Sequence, residues 1–150
     1  MRGPATVWRV STDLLRRLAA APGLYRGRGD GLESGPFVAR IAVASVVRGR
    51  AVTLDYEAFS DSRGLQHVEH TVLTVGEGGL LELHVMCSEL PGVVRFVATK
   101  PGEFSAYDGP LPARIVLTVP RDDVLTYGWW WARGESAPRE QSRAEVRRTG

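Results

Sequence analysis

The chain has 150 residues, 43% of them hydrophobic and 24% charged, with a formal net charge of +2. That length suits one domain with a substantial core, and the composition is that of a globular protein rather than a disordered one. The lone cysteine, Cys87, excludes an intrachain disulfide framework, and no apolar run approaches the roughly 20 residues a membrane-spanning helix needs. In chain order, residues 11–21 carry the one helix signal: Ser11 or Thr12 can cap, Asp13 suits the first turn, and Leu14, Leu15 and Leu18 share a face before Pro22-Gly23 ends it. Beyond it the texture changes to short alternating or apolar segments, predicting strands near 24–30, 36–47, 51–59, 65–75, 80–87, 93–99, 103–107, 113–119, 124–133 and 140–148. The punctuation between them is turn chemistry: Arg48-Gly49, Asp61-Ser62-Arg63-Gly64, Gly76-Glu77-Gly78-Gly79, Leu90-Pro91-Gly92, Pro101-Gly102, Asp108-Gly109-Pro110 and Arg121-Asp122-Asp123. About ten strands joined by short hairpins imply an all-β fold over residues 1–150, a ten-stranded antiparallel up-and-down barrel over 23–148 behind one short N-terminal helix. Closure removes exposed strand edges.

Alternation then assigns an inner face. A two-residue turn at Arg48-Gly49 sets Val43 opposite Leu54 and Ile41 opposite Tyr56. A five-residue loop over 60–64 sets Leu54 opposite His70 and Tyr56 opposite Val68. An even-numbered turn within 76–79 then aligns His70 with Val85. The predicted lumen holds Phe37, Ile41, Val43, Leu54, Tyr56, Val68, His70, Val72, Leu81, Leu83 and Val85, with Tyr56 and His70 as its polar members. Asp55, Glu57, His67, Glu69, Glu82 and His84 fall on the solvent face. In the ninth strand Leu125, Tyr127, Trp129 and Trp131 form the more apolar side and are expected to point inward, which leaves Trp130 outside as a homodimer contact.

A short Leu-rich helix ending in Pro-Gly and running into Leu24-Tyr25-Arg26-Gly27-Arg28-Gly29 resembles the Gly-x-Trp-x-Gly-x-Gly opening of calycin (lipocalin-like) barrels. The likeness is to the fatty-acid-binding-protein-like nitrobindin group and related bacterial proteins in particular. The Val47-Arg48-Gly49-Arg50 hairpin and the final Ser142-Arg143-Ala144-Glu145-Val146-Arg147-Arg148 strand are similar as well. The resemblance implies a barrel with an internal pocket. It would also imply a haem-binding histidine at the start of the last strand, but that stretch is Glu140-Gln141-Ser142-Arg143. No cofactor is therefore expected, since haem would need His70 from another wall. Tyr25 stands where the family usually has tryptophan.

The remaining chemistry is sparse. His67-Val68-Glu69-His70 has metal-like spacing, but on a strand residues three apart face opposite ways, so no metal site is expected. His70 is either a core histidine satisfied by Tyr56 or backbone, or a ligand-orienting donor or general base. Trp129 and Trp131 are either core packing or an aromatic wall for a flat ligand. Cys87 is a small buried hydrophobe. No phosphate loop, nucleophile elbow or dinucleotide fingerprint is present. The positive charge is almost all arginine, Lys100 being the only lysine, and it is scattered, so nucleic acid is not an expected partner and neither is a membrane. That bias fits a GC-rich bacterial genome. Met1-Arg2-Gly3-Pro4 leads into charged residues rather than an apolar stretch, so a cytoplasmic protein is expected. The expected function is binding of a small, mainly apolar or aromatic molecule, with Tyr56 and His70 anchoring it and Trp129, Trp131, Phe37, Leu54 and Leu83 as the wall. The alternatives are a cyclase or isomerase of bacterial specialised metabolism using His70 and Tyr56, a haem barrel, or a dimerisation module with a filled core.

Overall fold

The computed structural model describes residues 12–107, 112–132 and 137–149. Ten antiparallel strands follow one helix among them: α1 (12–19), then β1 (Gly23–Gly31), β2 (Gly35–Val46), β3 (Ala51–Ser60), β4 (Gly64–Val75) and β5 (Leu81–Cys87), followed by β6 (Val94–Lys100), β7 (Glu103–Ala106), β8 (Ala113–Arg121), β9 (Val124–Trp131) and β10 (Arg139–Arg148). Each strand pairs with its chain neighbours and β10 returns to β1, closing the barrel. No helix among the described residues is long and apolar enough to cross a membrane. The expected Ser11 cap, the Asp108-Gly109-Pro110 turn and the end of the ninth strand at residue 133 lie outside the described residues.

Closure depends on β1. A Cβ on Gly29 would sit 2.2 Å from Phe37 Cζ, and one on Gly27 would sit 2.0 Å from the Glu145 carbonyl oxygen. Only hydrogen fits at either place, so the Gly-x-Gly spacing lets β2 and β10 approach β1 closely and lets the Phe37 ring lie across Gly29.

The interior is filled from all sides by residues such as Ile41, Leu54, Leu73, Leu83, Phe96, Phe104, Ile115, Leu117, Leu125 and Val146, all buried. Each such side chain contributes about 1.5–3 kcal/mol through removal from water. The helix closes one end. Leu15 and Leu18 are buried against the core, the Arg17 guanidinium donates to the Val119 carbonyl beside the β8–β9 turn, and the Tyr25 hydroxyl donates to the Ala21 carbonyl at 2.7 Å.

The pairing of β2 with β3 is as the turn at Arg48-Gly49 predicts, with Val43 opposite Leu54 and Ile41 opposite Tyr56. The pairing of β3 with β4 is not. Phe59 faces Leu65 as expected, but Ala58 faces His67, so Gln66 is an extra residue and a β-bulge. Past a bulge every side chain changes face. The predicted inward set on β4 is thereby corrected: Val68 and His70 are exposed and Val72 is only half-buried, while Glu69, Thr71 and Leu73 are buried inside.

Candidate functional site

At the end of the barrel opposite the helix lies a cavity of about 350 Å³. Its walls come from the starts and ends of strands at that end: Phe37 from β2, Tyr56 and Ala58 from β3, Gln66 and His67 from β4, Val94 and Phe96 from β6, and Trp129 and Trp131 from β9. Glu33 and Ser34 from the β1–β2 turn, Arg63 from the β3–β4 turn, and Glu89 and Leu90 after β5 form the mouth. The aromatic rings are interlocked edge to face. Trp129 meets Phe96 at 5.6 Å and Trp131 at 6.3 Å, and Tyr56 meets His67 at 5.2 Å between ring centroids. Such pairs add about 0.5–1.5 kcal/mol each beyond area burial.

Behind this wall is a buried carboxylate. The Glu69 side chain has 0% exposure and accepts four hydrogen bonds. His67 Nε2 and Trp129 Nε1 both donate to Oε1 at 2.9 Å, while the Thr71 hydroxyl (2.5 Å) and the Tyr127 hydroxyl donate to Oε2. A carboxylate has about four lone-pair directions, and here all are filled by donors from β4 and β9. The other imidazole nitrogen, His67 Nδ1, lies 2.8 Å from both oxygens of Glu89, whose side chain is 52% exposed at the mouth. Glu89 also accepts from the Ser88 hydroxyl at 2.8 Å.

The titration behaviour follows from these contacts. Burial acts to lower His67, but the hydrogen bonds and charges of Glu69 and Glu89 outweigh it and hold the imidazole at about 9. Both ring nitrogens therefore carry protons at neutral pH. Burial acts to raise Glu89, yet the hydrogen bond and charge of His67 and the Ser88 hydroxyl hold it below the usual carboxylate range. Burial, then the Glu69 charge, push the Tyr127 and Tyr56 phenols upward. Burial also raises the Cys87 thiol, which is free and lines the cavity.

Among the predicted site residues, Tyr56, Trp129, Trp131 and Phe37 line this cavity, while Leu54 and Leu83 lie in the packed core deeper in the barrel and do not reach it. His70 is on the outside, half-exposed, with its Nδ1 2.6 Å from Asp55. It can be neither a lumenal anchor nor a lumenal base. His67 and Glu69, assigned by alternation to solvent, are instead polar residues of the interior, with Thr71 beside them. The bulge that brings them in left no signal in the sequence: past it the apolar residues of β4 divide evenly, Val68 and Val72 on one face against Leu73 and Val75 on the other, so composition does not choose between the two orientations. Trp130 points outward, half-buried, with the Arg114 guanidinium 5.3 Å from its ring centroid. Among the described residues no group of three or more His, Cys, Asp or Glu is placed to hold a metal.

A closed antiparallel barrel with one plugged end and one aromatic-lined cavity is thus the class of structure these residues build. No protein-family model matches the chain, and no curated protein matches it. Solved structures do. The crystal structure of Rv2717c from M. tuberculosis superposes with a TM-score of 0.67 at 16% identity, over 91% of this chain and 98% of that one. A de novo designed fluorescence-activating β-barrel superposes with a TM-score of 0.50 at 12% identity, over 89% of this chain and 98% of that one. At such identities the likeness is one of fold.

Proposed function

We propose that the barrel binds a small, mainly apolar or aromatic molecule in the cavity at the end opposite the helix. The body of the ligand lies against Trp129, Trp131, Phe37 and Phe96, and its polar atom meets the His67–Glu89 pair. The observation that carries this is the combination of an aromatic-lined space of about 350 Å³ with a pre-organised imidazole–carboxylate pair, His67 and Glu89, among the polar residues of its wall. Ligand pockets have that character: roughly 300–1,000 Å³, largely apolar, with a few fixed polar groups. A core built only for packing would have closed this space, since interiors otherwise pack to crystal-like density. The free thiol of Cys87 suits a reducing compartment, and we take the cytoplasm as the working location.

The test is a panel of aromatic and acyl compounds titrated against tryptophan fluorescence, with Ala58→Phe as the variant that fills the cavity. Ala58 is buried and lines the space. Saturable quenching in the wild type, weakened at least about tenfold in the variant, is the expected result; tenfold corresponds to about 1.4 kcal/mol. No quenching by any compound, or equal affinity in the filled variant, would sink the proposal.

Haem does not fit the donor set. The start of β10 presents Gln141 and Ser142 to the cavity, and the lumenal histidine, His67, has both nitrogens engaged by carboxylates. An imidazole doubly protonated at neutral pH offers iron no lone pair. An enzyme working through His70 loses its base to the outer face, although Tyr56 remains in the cavity.

A further inference from the structure

We infer that His67 and Glu89 form a proton-transfer couple, and that the cavity acts on a carbon acid: a small cyclic or aryl ketone or aldehyde with an enolisable C–H beside its carbonyl. The inference rests on the ligand binding proposed above for the same cavity.

The starting point is what Glu69 does. A fully enclosed carboxylate is expensive, and well-packed apolar side chains in its place are often equally or more stabilising. Its lone pairs are all occupied by Trp129, Tyr127, Thr71 and His67, so it has nothing left to offer a ligand. What it does is hold His67. The Nε2–H donation fixes the ring orientation and stabilises an imidazolium, and the remaining N–H, at Nδ1, is directed to Glu89. A carboxylate behind an imidazole in this way is the arrangement that positions a histidine for proton transfer. Passive binding of an apolar body needs no such backing.

Glu89 differs from Glu69 in each respect that matters. It sits in the turn after β5 rather than on a strand, it is half-exposed, and it is held by His67 and its own neighbour Ser88. A carbonyl oxygen can take the Nδ1–H from Glu89, whose half-exposed carboxylate stays beside it at the mouth of the cavity. Two adjoining groups in one cavity, one carrying its proton and the other not, are an acid and a base.

The step balances without any co-reactant. His67 Nδ1 gives its proton to the carbonyl oxygen while a Glu89 oxygen removes the proton from the adjacent carbon. The C–H electron pair becomes the C=C bond, and the carbonyl π pair becomes the new O–H bond of the enol. Return of the Glu89 proton to carbon, and of the enol proton to Nδ1, restores both side chains. The net outcome is isomerisation or proton exchange at that carbon. His67 and Glu89 are the catalytic residues; Glu69 is a positioning residue.

The experiment incubates the protein with 2-tetralone in buffered D₂O and follows loss of the proton signals beside its carbonyl by NMR, with binding measured separately by tryptophan quenching. Exchange in the saturated complex at least about 10²-fold faster than in buffer, falling by about the same factor in both His67→Asn and Glu89→Gln when each is saturated at the tetralone concentration its own quenching curve sets, is expected. Bound tetralone that exchanges no faster than in buffer, or variants that keep the wild-type rate, overturn the inference and leave the binding reading standing. Absence of tetralone binding, together with silence across the wider ligand panel, overturns both. Should His67→Asn fail to fold because Glu69 loses a partner, Glu89→Gln at its half-exposed position decides alone.

Discussion

Glu69 and His70 are adjacent in the chain and have opposite circumstances. The Glu69 side chain is sealed and saturated by four donors, whereas His70 and its partner Asp55 are 49% and 57% exposed. Distance misleads here, since the His70–Asp55 contact of 2.6 Å is shorter than the 2.9 Å from His67 to Glu69. Water screens the first pair and not the second, so exposure decides which one matters. His70→Ala is expected to change stability by no more than about 0.5 kcal/mol. Glu69→Gln turns an acceptor into a partial donor facing the Tyr127 and Thr71 hydroxyls and strips the imidazolium of its buried counter-charge. It is expected to cost about 3–5 kcal/mol, the usual penalty for breaking a buried ion pair. Urea unfolding followed by tryptophan fluorescence measures both. A Glu69→Gln cost under about 1 kcal/mol would mean that the network is incidental. Nothing in the sequence separates Glu69 from Glu57, which has the same residue type on a neighbouring strand and takes part in an exposed pair with Arg40.

At the level of elements, strand positions, turn chemistry and the up-and-down order were legible because glycine, proline and aspartate mark the turns and alternation marks the strands. The inward lean of Trp129 and Trp131 was legible from composition. What was hidden is one spare residue. The β3–β4 hairpin starts in the predicted register at Phe59 and Leu65, then Gln66 bulges and the face of β4 inverts. The next connection was predicted to be even-numbered but spans 76–80, closed by the Gly76 N–H to the Leu80 carbonyl at 2.9 Å. Two one-residue shifts cancel, so Leu81, Leu83 and Val85 point inward as alternation from β3 requires, while β4 between them does not. Both shifts are local backbone choices worth little in sequence propensity, yet they decide the chemistry of the lumen. A pair of deletions checks this. Removing Gln66 straightens β4 and keeps Ala58 opposite His67, so His67 and Glu69 stay inside. Removing His70 instead lets the bulge absorb the gap by shifting residues 66–69 by one, which turns His67 and Glu69 outward. NMR titration of the His67 ring is expected to remain near 9 in the first variant, as in the native chain, and to fall towards the ordinary value in the second. The opposite pattern would refute the register account.

For the molecule as a whole, the buried imidazolium ties the closed barrel to pH. His67 rises from its ordinary 6.5 to about 9 in the fold, against burial, through Glu69 on its own strand and Glu89 at the mouth. A group whose pKa is raised on folding binds its proton more tightly in the native state, so protonation favours folding. The contribution is complete below the unfolded value of 6.5 and disappears as pH climbs through about 9. Its size is on the order of 3 kcal/mol, a large share of the roughly 5–15 kcal/mol typical of a domain. Glu89 acts with the opposite sign: its pKa is lowered, so its share is present above the ordinary carboxylate value and is lost as pH falls through the acid range. Burial raises the Cys87 thiol and the Tyr56 and Tyr127 phenols as well, so each adds a loss of the same sign, but only as pH passes its ordinary value of 9.0 or 10.0, at or above the upper end of the His67 limb. Stability should therefore peak in the mildly acidic to neutral range and fall steadily from about pH 7 to pH 9, the window fixed by the two His67 values. Urea midpoints measured across that range in the wild type and in His67→Gln provide the check, because the variant lacks the titrating group and should be flat where the wild type slopes. Parallel slopes in the two proteins would place the proton somewhere other than between Glu69 and Glu89.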